Sequence, residues 1–239
     1  MEGILMKILA LESSAVAASA AVCEDETLLV QSFQHSGLTH SRTLMPMVEA
    51  MLKNSGLALD DMEVIAVAAG PGSFTGLRIG ISAAKGLAWT RDLPCAACST
   101  LESMAWPLTL WEGEICAVMD ARRHQVYRAR FLSEGDRLHR LCQDGAVSLD
   151  ELAEEIKTSG KTQILVGDGA QLCYNDLTVR GLPVCMAPPH LRLQSAWGVA
   201  RAAVEMIRAG KLVSASALKP EYHRLSQAER ERLSRNQPV

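Results

Sequence analysis

The sequence predicts an α/β fold of two similar tandem lobes. Three observations carry that prediction. An order of three strands, helix, strand and helix occurs twice along the chain. Apolar residues switch between strand and helix spacing within each half. In each half a glycine-rich turn closes a strand and opens a helix.

In the first half, Ile8 to Glu12 is a compact apolar strand ended by Ser13 and Ser14, Ala17 to Cys23 is a second, and Thr27 to Phe33 a third beyond a polar turn. Short turns between them predict an antiparallel meander. Leu44, Met47, Val48, Met51 and Leu52 then recur at helical spacing, with Gly56 as a stop. Pro46 is tolerated in that helix if its start lies near Thr43, because the first N–H groups of a helix have no partner to lose. Val64 to Ala69 is a buried-type strand that runs into Gly70-Pro71-Gly72-Ser73-Phe74-Thr75-Gly76, and a helix covers Leu77 to Trp89. Cys95 to Ser99 is a short strand before a short helix near Leu101.

After Pro107 the order repeats. Ile115 to Asp120 and Gln125 to Leu132 are paired strands, and Arg137 to Cys142 is a third. A helix runs from Asp150 to Lys157, with Ser148 as its cap. Gln163 to Val166 is a strand ending in Gly167-Asp168-Gly169, and Ala170 to Tyr174 opens a helix. Pro183 to Ala187 adds a strand, and Ala196 to Ala209 is an amphipathic helix closed by Gly210. The expected division is residues 6–106 for the first lobe, 107–225 for a smaller second lobe whose last helix is free to pack back on the first, and 226–239 for a polar tail. Two lobes with this order have the architecture of the actin, sugar-kinase and Hsp70 superfamily, each with a mixed, RNase H-like sheet flanked by helices.

Composition narrows the function. The 239 residues are 48% hydrophobic but only 4% aromatic, so the core is built from Ala, Leu, Val, Ile and Met. A formal net charge of −3 argues against a protein that grips nucleic acid alone, since that affinity comes from neutralising phosphates. No apolar run is long enough to span a bilayer. The first ten residues lack the features of a secretory signal, and Met6 is a plausible start. Seven scattered cysteines fit reduced thiols in a cytoplasmic protein, with Cys95 and Cys98 read as small buried hydrophobes rather than a redox pair.

Two constellations carry candidate chemistry. Backbone N–H groups at a strand–turn–helix junction can cradle phosphate, which makes Glu12, Ser13, Gly70, Gly72, Ser73, Gly167, Asp168 and Gly169 candidate nucleotide contacts. The turn lacks the lysine of a phosphate-binding loop, so its first reading is a sharp turn with close helix packing. On the following helix Gly76, Gly80, Ala83, Ala84 and Leu87 share a face that admits another helix closely, either within the lobe or from a partner. The six histidines form no HxxxH or HxxH pair, no catalytic residue is assigned, and no metal site is expected.

The run Gly70-Pro71-Gly72-Ser73-Phe74-Thr75-Gly76-Leu77-Arg78-Ile79-Gly80 resembles the signature of the TsaB (YeaZ) family, dimerisation subunits of the bacterial complex that places threonylcarbamoyl on a tRNA adenosine. Ile8 to Ser14, His40 to Leu52, Ser99 to Glu102, Met119 to Arg122, Gly167 to Ala170 and Lys219 to Tyr222 also fit that family, so the likeness spans nearly the whole chain; Tyr222-His223-Arg224 departs from its usual Tyr-Leu-Arg. The resemblance implies two actin-like (ASKHA) lobes and a non-catalytic scaffold that pairs with the homologous catalytic transferase, TsaD, and helps recruit a small ATPase, TsaE. Alone, the chain would pair with itself. The implied interface comprises Leu44, Met47, Met51, Gly76, Gly80, Ala83, Ala84 and Leu87. Where the catalytic relative has two metal-binding histidines four apart, this chain has Thr100 and Met104, so the metal site is expected to be lost. No intrinsic cofactor is implied; ATP or ADP is left to a complex interface, and tRNA is met only through the complex. Basic Arg224, Arg230, Arg232 and Arg235 read as a solvated end. The alternative is an independent actin-fold enzyme, either a small-molecule kinase or a metal-dependent glycoprotease-like hydrolase.

Overall fold

The computed structural model describes residues 6–223. Residues 1–5 and 224–239, and with them the expectations about the start and the charged tail, lie outside the described residues.

Strands β1 (Lys7–Glu12), β2 (Ala18–Glu24) and β3 (Thr27–Gln34) form the antiparallel meander. After helix α1 (His40–Ser55), β4 (Val64–Gly70) pairs parallel to β1. Helix α2 (Phe74–Trp89) leads to β5 (Cys95–Ser99), parallel to β4, giving the order β3-β2-β1-β4-β5. A short α3 (Thr100–Ala105) enters the second half. There the chain runs through β6 (Gly113–Asp120), β7 (Gln125–Glu134), β8 (Arg137–Arg140), β9 (Gly145–Ser148), α4 (Leu149–Ser159), β10 (Gln163–Val166), α5 (Ala170–Val179), β11 (Val184–Met186) and α6 (Ala196–Arg208). The second sheet, β8-β7-β6-β10-β11, repeats the order of the first. This is the expected α/β fold with two actin-like lobes.

Two details differ from the sequence reading. Helix α1 begins at His40, so Pro46 lies in its second turn rather than at its start. Pro46 and Arg42 are both exposed, so water can serve the carbonyl that the missing N–H leaves. The third strand of the second lobe is divided: β8 pairs with residues 131–134 of β7 and β9 with residues 125–128. Ser148 does cap α4, in a reciprocal capping box with Glu151.

Each sheet is buried on both faces. Leu9 and Leu11 of β1 and Ile65 and Val67 of β4 point to one side, where Leu44, Val48 and Met51 of α1 and Ile81, Ala84 and Ala88 of α2 cover them. Ile8, Ala10, Val64 and Ala66 point to the other side, under Val199, Ala200 and Ala203 of α6. In the second lobe Leu101, Met104 and Ala105 of α3 cover one face, and residues of α4 and α5 cover the other. The two inner helices therefore cross between the lobes, α3 from the first half on the second sheet and α6 from the second half on the first. Their contact is backbone-close: a Cβ on Gly198 would stand 1.9 Å from the Ser103 carbonyl oxygen. Arg201 of α6 stacks 4.9 Å over the ring of Trp106 at the same junction.

Candidate functional site

The C-terminal ends of the parallel strands bring the acidic candidates towards each other at the junction of the lobes. Glu12 ends β1 and is fully buried. Its Oε1 accepts from the Ser14 N–H at 2.5 Å, while Oε2 has no partner. Burial pushes its carboxyl up to about 7, with the charge of Asp168 a smaller contribution. Asp168, in the turn after β10, accepts from Gln194 Nε2 at 3.1 Å, and burial pushes it up to about 6, reinforced by Asp120 at the end of β6. Ser14, Asp120 and Gln194 were not singled out in the sequence; Ser14 and Gln194 look like ordinary loop residues until the lobes close on them.

The glycine-rich turn is occupied by the chain itself. Ser73 N–H donates to the Ser14 carbonyl at 2.7 Å and Leu77 N–H to the Ser73 carbonyl at 2.8 Å. The Ser73 hydroxyl caps α2 by accepting from Gly76 N–H at 3.4 Å. A Cβ on Gly72 would stand 2.7 Å from the Ser14 carbonyl oxygen, and one on Gly70 would stand 2.2 Å from that of Glu221. Ser13 Oγ donates to the Gly76 carbonyl at 2.9 Å. In the second lobe Gly167 and Gly169 press on β6 in the same way, with a Gly167 Cβ only 2.0 Å from the Val118 carbonyl oxygen. The N–H groups of Ser73, Gly167 and Gly169 are thus taken by the carbonyls of Ser14, Arg192 and Val118, and Gly70 and Gly72 give room for close backbone packing.

Thr100 and Met104 occupy one face of α3 and are 0% and 2% exposed. Met104 packs in the second-lobe core. Neither supplies an imidazole, and among the described residues no group of three or more His, Cys, Asp and Glu could hold a metal ion. Cys95 and Cys98 are buried free thiols that burial pushes up, which fits inert core residues rather than redox partners.

The outer side of the first lobe carries a different kind of feature. A groove of about 600 Å³ runs between α1 and α2, lined by His40, Met45, Thr75, Arg78, Ile79 and Ser82 among others. Met45 is 41% exposed and Trp89, at the end of α2, is 72% exposed. The residues chosen from sequence divide between this groove and the core. Leu44 and Ala83 of the expected set line this groove, Leu44 from the core side, whereas Met51 and Ala84 are core residues of the lobe. Gly76 and Gly80 face the Ser13–Ser14 turn, where a Gly80 Cβ would meet Ser13 Oγ at 2.6 Å. Only Met47, Ala83 and Leu87 of the expected set are half-exposed. Gly76 and Gly80 thus admit the chain's own β1 turn, while Ala83 of the same stripe faces the groove.

The sequence profile described as TsaD, tRNA N6-adenosine threonylcarbamoyltransferase, matches residues 34–186. The chain is 32% identical to the tRNA threonylcarbamoyladenosine biosynthesis protein TsaB of Escherichia coli (strain K12), over 92% of this chain and 95% of that one. It is 34% identical to the TsaB of Bacillus subtilis (strain 168), over 70% of this chain and 73% of the relative. In fold it superposes on YeaZ from Pseudomonas aeruginosa with a TM-score of 0.79 at 24% identity, covering 91% of this chain and all of the other.

Proposed function

The chain belongs to the TsaB (YeaZ) family and takes part in tRNA threonylcarbamoyladenosine biosynthesis, and within that process we propose that it is a non-catalytic subunit that docks the homologous transferase, TsaD. The observation that carries this reading is the α1–α2 groove, an apolar surface in which Met45 is 41% exposed and Ile79 is half-buried at the edge of the lobe's core. A homologous partner would lay its own equivalent helix pair against this face, and in its absence a second copy of the chain would do so. The loss of imidazoles at Thr100 and Met104 supports a division of labour in which the partner holds the metal. In the same proposal the joined surface recruits the ATPase subunit TsaE, ATP or ADP binds at a complex interface rather than within this chain, and tRNA is held by the assembled complex in the cytoplasm. No described helix is long and apolar enough to cross a membrane.

One observation favours a second reading. Glu12, at the end of β1, stands where actin-like kinases place an acidic group near magnesium, and the charge of Asp168 acts on it from the second lobe. An independent kinase or hydrolase would turn over ATP or peptide without a partner.

A single reconstitution separates the two. Threonylcarbamoyl incorporation into tRNA is measured with an activated threonylcarbamoyl donor and this chain, the transferase and the ATPase subunit, each protein omitted in turn. The docking reading expects product only with all of them and none from this chain alone. Product or ATP hydrolysis by the isolated chain would support the enzyme reading instead.

A further inference from the structure

After α6 the chain crosses back to the first lobe. Val213 makes a bridge with Cys95 at the sheet edge, and Ala215 and Leu218 enter the core beneath α1 and α2. The next five residues, Lys219 to His223, lie over the glycine-rich turn as a strap. Its backbone is seated: Glu221 N–H donates to the Ala69 carbonyl at 2.8 Å. Gly70, at φ +143°, makes the room, since any Cβ there would run into the Glu221 carbonyl.

The strap's side chain then reaches the groove. Tyr222 stacks on Phe74, the first residue of α2, with ring centroids 4.4 Å apart and 15° between the planes. Its hydroxyl accepts from Arg78 Nε at 2.9 Å, and the guanidinium carbon lies 5.8 Å from the Tyr222 ring centroid and 6.0 Å from that of Phe74. Arg78 also lines the α1–α2 groove, is exposed, and has no acidic partner among the described residues. A long, rotamer-rich cation is thus held in one orientation at the rim of an apolar groove, with the terminal nitrogens of its fork left for something else.

We propose that the C-terminal strap is a working part of the docking surface, in which Tyr222 is a positioning residue that presents Arg78 to a carboxylate on the partner protein. The inference rests on the reading of the α1–α2 groove as the docking face. An oriented guanidinium forms a two-bonded pair with a carboxylate and loses less side-chain freedom on binding than a free one. Phe74 supplies the floor against which Tyr222 is stacked, so the device joins segments 144 positions apart and needs Gly70 beneath it.

The test is a double-mutant cycle on the full-length chain, read as the affinity for the purified transferase by titration calorimetry at low and high salt. Arg78→Ala and Tyr222→Ala are each expected to weaken binding by about tenfold, and the double variant no further than either single one, because Tyr222 acts through Arg78. Tyr222→Phe keeps the stack and loses the hydroxyl, so it is expected to fall between wild type and Tyr222→Ala. The salt dependence of binding should shrink in Arg78→Ala. Tyr222 is 41% exposed, and unchanged melting curves check that the variants fold. Additive losses, or unchanged affinity in Tyr222→Ala, overturn the proposal. So does weakened affinity for tRNA with no change for the protein. Ser82→Arg, which fills the groove, tells the two readings apart: if it abolishes binding while Tyr222→Ala does not weaken it, only the strap inference fails; if it too binds normally, the docking reading has failed with it.

Discussion

Ser13 and Gly76 hold each other in both directions: the Ser13 hydroxyl donates to the Gly76 carbonyl at 2.9 Å, and a Cβ on Gly76 would stand 2.1 Å from the Ser13 carbonyl oxygen. The backbone of α2 therefore rests directly on the turn after β1. Gly76→Ala is expected to destabilise the protein by about 2–3 kcal/mol, because the opposing atom is backbone and cannot swing away. Thermal unfolding checks this, with a fall in Tm of roughly 5–10 °C. An unchanged Tm would mean the turn yields easily.

The two sides of α2 should respond oppositely to charge. Ala84 is fully buried against the sheet, so Ala84→Glu places an unpaired carboxylate in the core and is expected to unfold the lobe. Ser82 is exposed in the groove wall, so Ser82→Arg should leave the melting curve in place and yield a monomer under conditions where the docking reading expects the wild-type chain to pair with itself. Light scattering on each purified variant reads both outcomes. A dimeric Ser82→Arg would place self-association elsewhere.

Buried carboxyls set a pH dependence with a definite sign. Glu12 is raised to about 7 and Asp168 to about 6, so the folded state binds protons more tightly than the unfolded one between the ordinary carboxylate range and neutrality. Stability is thus highest, for these groups, below about pH 4.5, and is lost as pH rises through 6 to 7. Glu12→Gln keeps an acceptor for Ser14 N–H and removes the ionisation. Relative to wild type it is expected to gain about 3 kcal/mol between pH 5 and 8. Denaturant midpoints at several pH values measure it, and parallel curves for the two proteins would refute it.

Arg140 ties β8 to the lobe junction. It donates to Glu102 of α3 at 2.6 Å, pairs with Asp144, and lies 4.8 Å over the ring of Phe131. Asp144 in turn accepts from the Ser99 hydroxyl at 2.5 Å. Arg140→Ala strands two carboxylates and is expected to cost about 2 kcal/mol, less than for a wholly buried pair, because the side chain is 23% exposed. Chemical denaturation checks the value. A loss under about 0.5 kcal/mol, as for a surface pair, would show that water already serves these groups.

Local signals carried the fold. Continuous apolar runs in β1 and β4, the Ser148 cap and the glycine stops at Gly56 and Gly210 are properties of neighbouring residues, and the strands and helices follow from them. The site was less legible because its geometry depends on distant partners. Small residues at Gly76, Gly80 and Ala84 mark a close approach, but only Ser13, 63 residues upstream of Gly76, decides that the approaching backbone belongs to the same chain. The Arg78–Tyr222 contact spans 144 positions, and no periodicity announces it. Pro46 misled for a different reason: an exposed carbonyl tolerates a missing donor that a buried one would not.

The most direct measurement of the docking claim is the mass, by light scattering, of a mixture of this chain with the homologous transferase. The account predicts a stable complex for the wild-type chain and separate species for Ser82→Arg. A complex that forms equally well with Ser82→Arg would contradict it.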